Sequence, residues 1–242
     1  MPSPRRITAI SLLVSGLLLL ATIVFAGQAA TVTHLSGPVA AHKADGSMKA
    51  ISVGSKIDEG DTLVTEKRTY ARLKFNDGSE ITLKPNSRFK VEKYSYDHGK
   101  PKDDFAFFKL IKGGLRTITG MIGKRGNHDS YKMDMPTATL GIRGTIYDAQ
   151  FCQGDSCGAI KPGLYLAVTS GIVVITNNAG TQTTLQVKAG QYVYVQSPST
   201  PPVVLPTKPN IPFNPPPSLG GGAVGSQHSA GGSSGSSDCQ VR

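Results

Sequence analysis

The residues with the clearest chemical potential lie between Lys109 and Lys132, where cations outnumber acids. The stretch contains six basic side chains and one acidic side chain, Asp129. The basic residues are Lys109, Lys112, Arg116, Lys124, Arg125 and Lys132. If they share a face, they form a cationic patch that attracts an anionic partner in a salt-dependent manner. If they are scattered, they only make the surface soluble, and their spacing leaves both interpretations open.

Arg143 is a second candidate because it lies between Gly141 and Gly144. Glycines at these positions remove side chains where neighbouring backbone can pack closely. The guanidinium can then extend over a strand and bond to carbonyl groups or to a carboxylate. This pattern fits either a lock between two parts of the fold or a contact with a ligand or partner. The candidate binding residues are therefore Arg143, Lys124, Arg125, Lys132 and Arg116.

The sequence holds no recognisable catalytic constellation. Its five histidines are scattered among turns and polar stretches: His34, His42, His98, His128 and His228. Nucleophile-elbow, phosphate-loop, zinc-protease and EF-hand patterns are missing from the sequence. No two acids are placed suggestively for glycoside hydrolysis. We therefore predict that the protein is not an enzyme and has neither a cofactor nor a metal site.

The three cysteines fall into a close pair and a single residue. Cys152 and Cys157 bracket four residues, a spacing that can close a disulfide in an oxidising compartment. Cys239 is alone near the C-terminus and is open to two roles, a free thiol or intermolecular pairing. A zinc site needs more ligands than these residues supply, and none of the histidines is near them in sequence.

The N-terminus has the pattern of a secretory signal peptide over residues 1–26. Arg5 and Arg6 precede an uncharged apolar run at residues 7–25, and small residues follow. The alternative is an uncleaved anchor, since the run is about long enough to span a bilayer. Both interpretations export the rest of the chain to the periplasm or the exterior. If the signal is cleaved, we expect no further membrane insertion.

Net charge indicates the kind of partner. The chain carries a formal charge of +10, and removing Arg5 and Arg6 leaves +8 for the mature protein. A basic surface favours anionic partners. Export makes nucleic acid an unsuitable partner, whereas anionic cell-wall polymer is available in that compartment. Simple solubility is the other explanation for this charge.

Short alternating runs between residues 30 and 196 predict an all-β domain. One face of the clearest pair of strands is expected to be buried: Ala71, Leu73, Phe75, Ile81 and Leu83. The other face is expected to point outward: Arg72, Lys74, Glu80, Thr82 and Lys84. Asp77-Gly78 between the two runs favours a tight hairpin turn. From residue 197 to 242 the sequence is proline-rich and then glycine/serine-rich, which predicts a disordered tail.

Several short motifs occur in a fixed order between residues 57 and 149. They are GDTLVT at 60–65, ARL at 71–73, DGS at 77–79, LKPNS at 83–87, GGLR at 113–116, PTAT at 136–139 and IRGT at 142–145. In this order they resemble a FecR-type domain, an all-β module of bacterial envelope proteins. The resemblance implies a short-stranded β-solenoid-like fold or a strongly twisted β-sandwich, and contacts with other envelope components.

The founding members of that family look like inner-membrane signal relays with a cytoplasmic segment that binds a sigma factor. Only residues 1–6 precede the apolar run in this sequence, so we expect direct anti-sigma activity to be missing. The resemblance then implies an exported, non-enzymatic module that binds envelope proteins, in signalling or in assembly. The alternative is a glycan- or anion-binding module that uses the basic surface.

Overall fold

The computed structural model describes residues 27–125 and 129–211. The predicted signal peptide, His128, His228, Cys239 and the tail after residue 211 lie outside this range. Three long strands run through the middle of the described fold: β9 (Phe105–Ile118), β11 (Ala138–Cys152) and β12 (Gly163–Asn177). The described helical turns are α1 (Ile122–Arg125) and two 3-10 turns at Pro101–Asp103 and Gly154–Cys157. None of the described helices is long and apolar enough to cross a membrane.

Twelve shorter strands complete the described part of the sheet. Six of them lie on one side, which we name the front layer: β2 (Val39–His42), β3 (Met48–Ala50), β5 (Thr62–Thr65), β8 (Arg88–Ser95), β10 (Tyr131–Asp134) and β13 (Thr184–Lys188). The other six form the back layer: β1 (Gln28–Leu35), β4 (Lys56–Asp58), β6 (Ala71–Phe75), β7 (Glu80–Leu83), β14 (Tyr192–Val195) and β15 (Val203–Leu205).

Hydrogen bonds link all of these strands into one mixed sheet that folds into the two layers. The front layer has the order β3-β2-β5-β8-β9-β10-β11-β12-β13. The back layer has the order β4-β1-β6-β7-β9-β11-β12-β14-β15. Strands β9 and β10 are parallel, and every other pair of described strands is antiparallel. The all-β prediction is therefore confirmed, in a form that corresponds to a twisted sandwich.

Each long strand passes from one layer to the other at a glycine in the left-handed region. The φ angles are +83° at Gly113 in β9, +58° at Gly144 in β11 and +78° at Gly171 in β12. Side chains other than glycine rarely adopt such angles, so the sequence places glycine where the strand must bend. A Cβ on Gly171 would overlap the backbone of Gly144, which means that the bends of β11 and β12 pack directly on each other.

The core lies between the two layers. Phe75 of the back layer meets Phe108 of the front layer edge to face, with ring centroids 4.9 Å apart. The predicted buried face of β6 and β7 is confirmed, because Ala71, Leu73, Ile81 and Leu83 are fully buried and join the same cluster. Alternation along these strands therefore points one set of side chains into the core.

The predicted outward face of β6 and β7 is only partly outward. Lys74 is exposed, but Arg72, Thr82 and Lys84 are buried, with 7%, 6% and 6% of their surfaces exposed. The prediction was wrong for these three residues because their strands are central in a nine-stranded layer. Neighbouring side chains on the same face, including Arg116, then shield them from solvent, which alternation within one hairpin does not reveal.

The strands extend beyond the predicted domain boundary at residue 196. Strand β15 pairs with β14, and Ile211 is buried against Tyr165 and Ala167 on the outer face of the back layer. Proline did not prevent this strand, because Pro202 and Pro206 flank it and β15 lies at the edge of the layer. The described fold therefore continues to residue 211.

Candidate binding groove on the front layer

A groove crosses the outer face of the front layer over strands β10 to β13. Its floor follows a row of residues in register: Lys132, Gly141, Val174 and Gln186. Gly141 has no side chain, so the row is interrupted between Lys132 and Val174. The resulting cavity has a volume of about 340 Å³. The groove therefore arises from one glycine in the middle of an otherwise filled surface.

Arg143 lies at one end of the groove in the neighbouring row. It pairs in register with Ile172, which pairs in turn with Lys188 of β13. Arg143 is exposed, and its side chain makes no ion pair or hydrogen bond to another described residue. Ile172 is 38% exposed, which is high for an isoleucine in a central strand. A free guanidinium, an ammonium group and an apolar surface thus adjoin one another.

Lys132 lies on the opposite side of the groove. Its ammonium group is 5.8 Å from the centroid of the Phe107 ring and 3.3 Å from a carboxylate oxygen of Asp129. Both partners of this ion pair are substantially exposed, so it contributes little free energy and leaves the lysine available. The groove is therefore cationic on two sides.

Lys124 approaches the same end of the groove as Arg143. Its Cγ is 3.7 Å from the position that a Cβ on Gly144 would occupy, so its side chain runs beside the bend of β11. Lys124 is exposed and belongs to α1, whose position depends on the hairpin between β6 and β7. Lys124 can therefore stay beside Arg143 only if α1 and the bend of β11 are held in fixed positions relative to each other.

The Asp77-Gly78-Ser79 turn fixes the start of α1. The carboxylate of Asp77 accepts hydrogen bonds from Ser79 N–H at 3.0 Å, from Tyr94 Oη at 3.2 Å and from Ile122 N–H at 3.3 Å. Its carbonyl oxygen accepts a bond from Met121 N–H at 2.9 Å. Burial, together with the nearby Asp77 carboxylate, raises the pKa of the Tyr94 phenol, which therefore acts as a neutral donor.

A threonine pair fixes the bend of β11 against the same segment. Thr119 Oγ1 accepts a hydrogen bond from Thr145 N–H at 2.7 Å and donates to the Thr145 carbonyl oxygen at 3.0 Å. Since Thr145 follows Gly144, this contact holds the backbone beside Arg143. Lys124 and Arg143 thus occupy positions set by buried hydrogen bonds.

Two of the five predicted binding residues have other roles. Arg125 pairs with Asp104 at 2.9 Å, donates to the carbonyl oxygen of Asp97 at 3.0 Å and lies 5.0 Å from the centroid of the Tyr96 ring. These contacts attach α1 to the connection between β8 and β9. Arg116 lies on the back layer, where it pairs with Asp148 at 2.7 Å. The structure therefore brings together Arg143, Lys132 and Lys124, but not Arg125 or Arg116.

Sequence reasoning missed Lys188 and Ile172 as parts of the groove. Ile172 begins a run that alternation predicts as a strand, and Lys188 directly follows another such run, but only the pairing of β11, β12 and β13 places them beside Arg143. Cys152 and Cys157 are joined by a disulfide on the back layer, with their Cα atoms 5.5 Å apart. Among the described residues, no three histidine, cysteine or acidic side chains cluster as a metal site would require.

Comparison with known families identifies much of this fold. Residues 61–173 match the family model described as FecR protein. These residues form a FecR domain. The matched residues include Lys124, Lys132, Arg143 and Ile172, whereas Gln186 and Lys188 follow the match. Strands β1 and β13, which pair directly with strands of the FecR domain, also lie outside it.

Similarity to individual proteins is more distant. No curated protein matches the chain. Two solved structures of a candidate anti-sigma factor from Parabacteroides distasonis are 10% identical to it, with a TM-score of 0.44, over 60% of this chain and 58% of theirs. A solved cell surface anchoring domain is 22% identical, with a TM-score of 0.25, over 26% of this chain and 82% of its own.

Proposed function

We propose that this protein is an exported, non-enzymatic envelope module that binds an acidic segment of another envelope protein through the front-layer groove. Its FecR domain supports a role in envelope signalling or assembly. The observation that carries the proposal is the free Arg143 guanidinium beside the exposed Ile172. A partner that supplies a carboxylate and an apolar side chain would satisfy both groups.

The chemistry of the groove favours a peptide over a simple anion. A guanidinium binds a carboxylate through two parallel hydrogen bonds, which fixes the orientation of the partner. Ile172 and Val174 offer apolar surface that a purely ionic partner would leave exposed to water. Lys132, Lys124 and Lys188 surround this surface and would raise the association rate of an acidic partner.

A second candidate function is the binding of an anionic cell-wall polymer. The excess of lysine around the groove supports it, since polymer binding needs only a cationic surface. The two functions differ in their dependence on Ile172. Ile172→Ser should weaken peptide binding and leave polymer binding unchanged, whereas salt should abolish polymer binding first.

Site-specific photo-crosslinking in the source cells tests the proposal. A photoreactive phenylalanine analogue at Gln186, at the β13 end of the groove floor, should crosslink the full chain to one envelope protein. The same analogue at Lys74, which is exposed on the back layer, should not. Arg143→Glu combined with Lys132→Glu should reduce the crosslink by about tenfold or more, because charge reversal repels an acidic partner.

A matched control separates a local effect from a change in net charge. Lys49→Glu, on β3 at the far edge of the same layer, combined with Lys74→Glu on the back layer reverses two exposed charges away from the groove and should leave the crosslink intact. Equal loss with this double variant would show that only overall charge matters. Equal crosslinking from Gln186 and Lys74, or a crosslink that survives Arg143→Glu and Lys132→Glu, would overturn the proposal.

A further inference from the structure

A second cavity, separate from the groove, opens on the outer face of the back layer. It has a volume of about 240 Å³ and is lined by Asp148, Ala167, Thr169, Tyr192 and Lys208, among others. Asp148, Ala167 and Tyr192 lie in one row in register across β11, β12 and β14. The small Ala167 side chain between a carboxylate and a tyrosine creates the depression, as Gly141 does on the front layer.

Asp148 presents an unsatisfied oxygen beside this cavity. The residue is 1% exposed, and its Oδ2 accepts a hydrogen bond from Arg116 Nη1 at 2.7 Å. Its Oδ1 is buried and has no hydrogen-bond partner in the described part of the protein. Buried acceptors are almost always paired, and leaving one unpaired costs free energy. A donor from a ligand in the cavity would remove this cost.

The charges around the cavity are mostly positive. Arg116 and the buried Lys84 lie near Asp148, and the exposed Lys208 lines the cavity itself. Burial lowers the pKa of Lys84 to about 8, so at neutral pH the group is still mainly charged. Three cations thus surround one acid, and the site favours an occupant that is itself negative.

We propose that this cavity binds an acidic sugar, a ring that carries several hydroxyl groups and one carboxylate. A hydroxyl donates to Asp148 Oδ1, the carboxylate pairs with Lys208, and the ring lies over Ala167, against the side chain of Tyr192. The volume is below the roughly 300–1,000 Å³ of pockets for drug-sized ligands, so a single sugar unit matches its scale. Stacking on tyrosine suits the apolar face of a sugar ring.

Calorimetric or NMR titration of the full mature chain tests the proposal with three small probes. Glucuronate has both the hydroxyl groups and the carboxylate, glucose has only the hydroxyl groups, and acetate has only the carboxylate. We expect glucuronate to bind at least about tenfold more tightly than either control. Lys208→Ala should remove most of the difference between glucuronate and glucose, and as an exposed residue it should not affect folding.

Ala167→Leu provides a variant that keeps every charge and fills the cavity. It should abolish glucuronate binding, while Arg143→Glu on the front layer should leave binding unchanged. Failure of glucuronate to bind, acetate binding as tightly as glucuronate, or binding that persists in Ala167→Leu would each overturn the proposal. Because the groove is not involved, its own crosslinking test can succeed or fail independently.

Discussion

The side chain of Ser87 bonds to both backbone groups of Gly114. Its hydroxyl donates to the Gly114 carbonyl oxygen at 2.8 Å and accepts from the Gly114 N–H at 2.9 Å. The neighbouring Gly113, at φ +83°, approaches Ser87 so closely that a Cβ there would overlap it. One hydroxyl therefore holds the bend at which β9 passes from the front layer to the back layer.

Ser87→Ala should lower the free energy of unfolding by about 1–3 kcal/mol, because it removes the acceptor for the buried Gly114 N–H and leaves the Gly114 carbonyl oxygen with only its bond from the Lys84 N–H. Urea unfolding at neutral pH measures the change. Ser95→Ala, at the end of β8, is a suitable control because Ser95 is only half-buried. Equal effects of the two substitutions would contradict the role assigned to Ser87.

Asp77→Ala should release the segment that carries Lys124. The substitution removes the acceptor for Ser79, Tyr94 and Ile122, and we expect a loss of about 2–4 kcal/mol. Hydrogen exchange should accelerate at the amides of Gly120 and Ile122 more than in β12. Asp45→Ala, which affects only an exposed turn, should change neither region. Unchanged protection of Ile122 would argue against the proposed anchoring.

Asp148 should make stability depend on pH in an unusual direction for a carboxylate. Burial raises its pKa to about 6 from the usual 3.8, opposed by Arg116. The folded state therefore holds this proton more tightly than the unfolded state. Its stabilising contribution is present below about pH 4 and is lost as the pH rises to about 6.

Asp148→Asn should remove this dependence. From pH 4 to pH 7, the stability of the variant relative to wild type should rise by up to about 3 kcal/mol, the equivalent of the pKa shift. Urea unfolding at several pH values measures the difference. Arg116→Gln should have the opposite effect, because it removes the cation that opposes the upward shift in the pKa of Asp148. The loss of stability should then extend to higher pH. A constant difference for Asp148→Asn would exclude a raised pKa.

The disulfide should stabilise the protein modestly. Replacing Cys152 and Cys157 by serine frees a loop of about six residues, for which chain entropy predicts a loss of about 2 kcal/mol. Adding reductant to wild type should reproduce the loss and should have no effect on the double variant. If reductant still destabilises the double variant, the stabilisation does not come from this disulfide.

Alternation predicted the all-β fold because burial on one face leaves a local pattern, as at Ala71, Leu73 and Phe75. The Asp77-Gly78 turn could also be predicted, since the preference for a tight turn depends only on these two neighbouring residues. The partner of Arg116 was not, because Asp148 is 32 residues further along the chain and only strand pairing joins them. For the same reason, the sequence did not show which of its basic residues lie beside the front-layer groove.

The three shared strands have a consequence for how the protein loses its structure. Strands β9, β11 and β12 each supply hydrogen bonds to both layers. Neither layer can therefore unfold while the other keeps its hydrogen bonds between strands. We therefore expect cooperative, two-state unfolding of residues 27–211. A fragment cut at the limits of the family match, residues 61–173, would end inside β12 and lack β1. Such a fragment should fail to fold on its own.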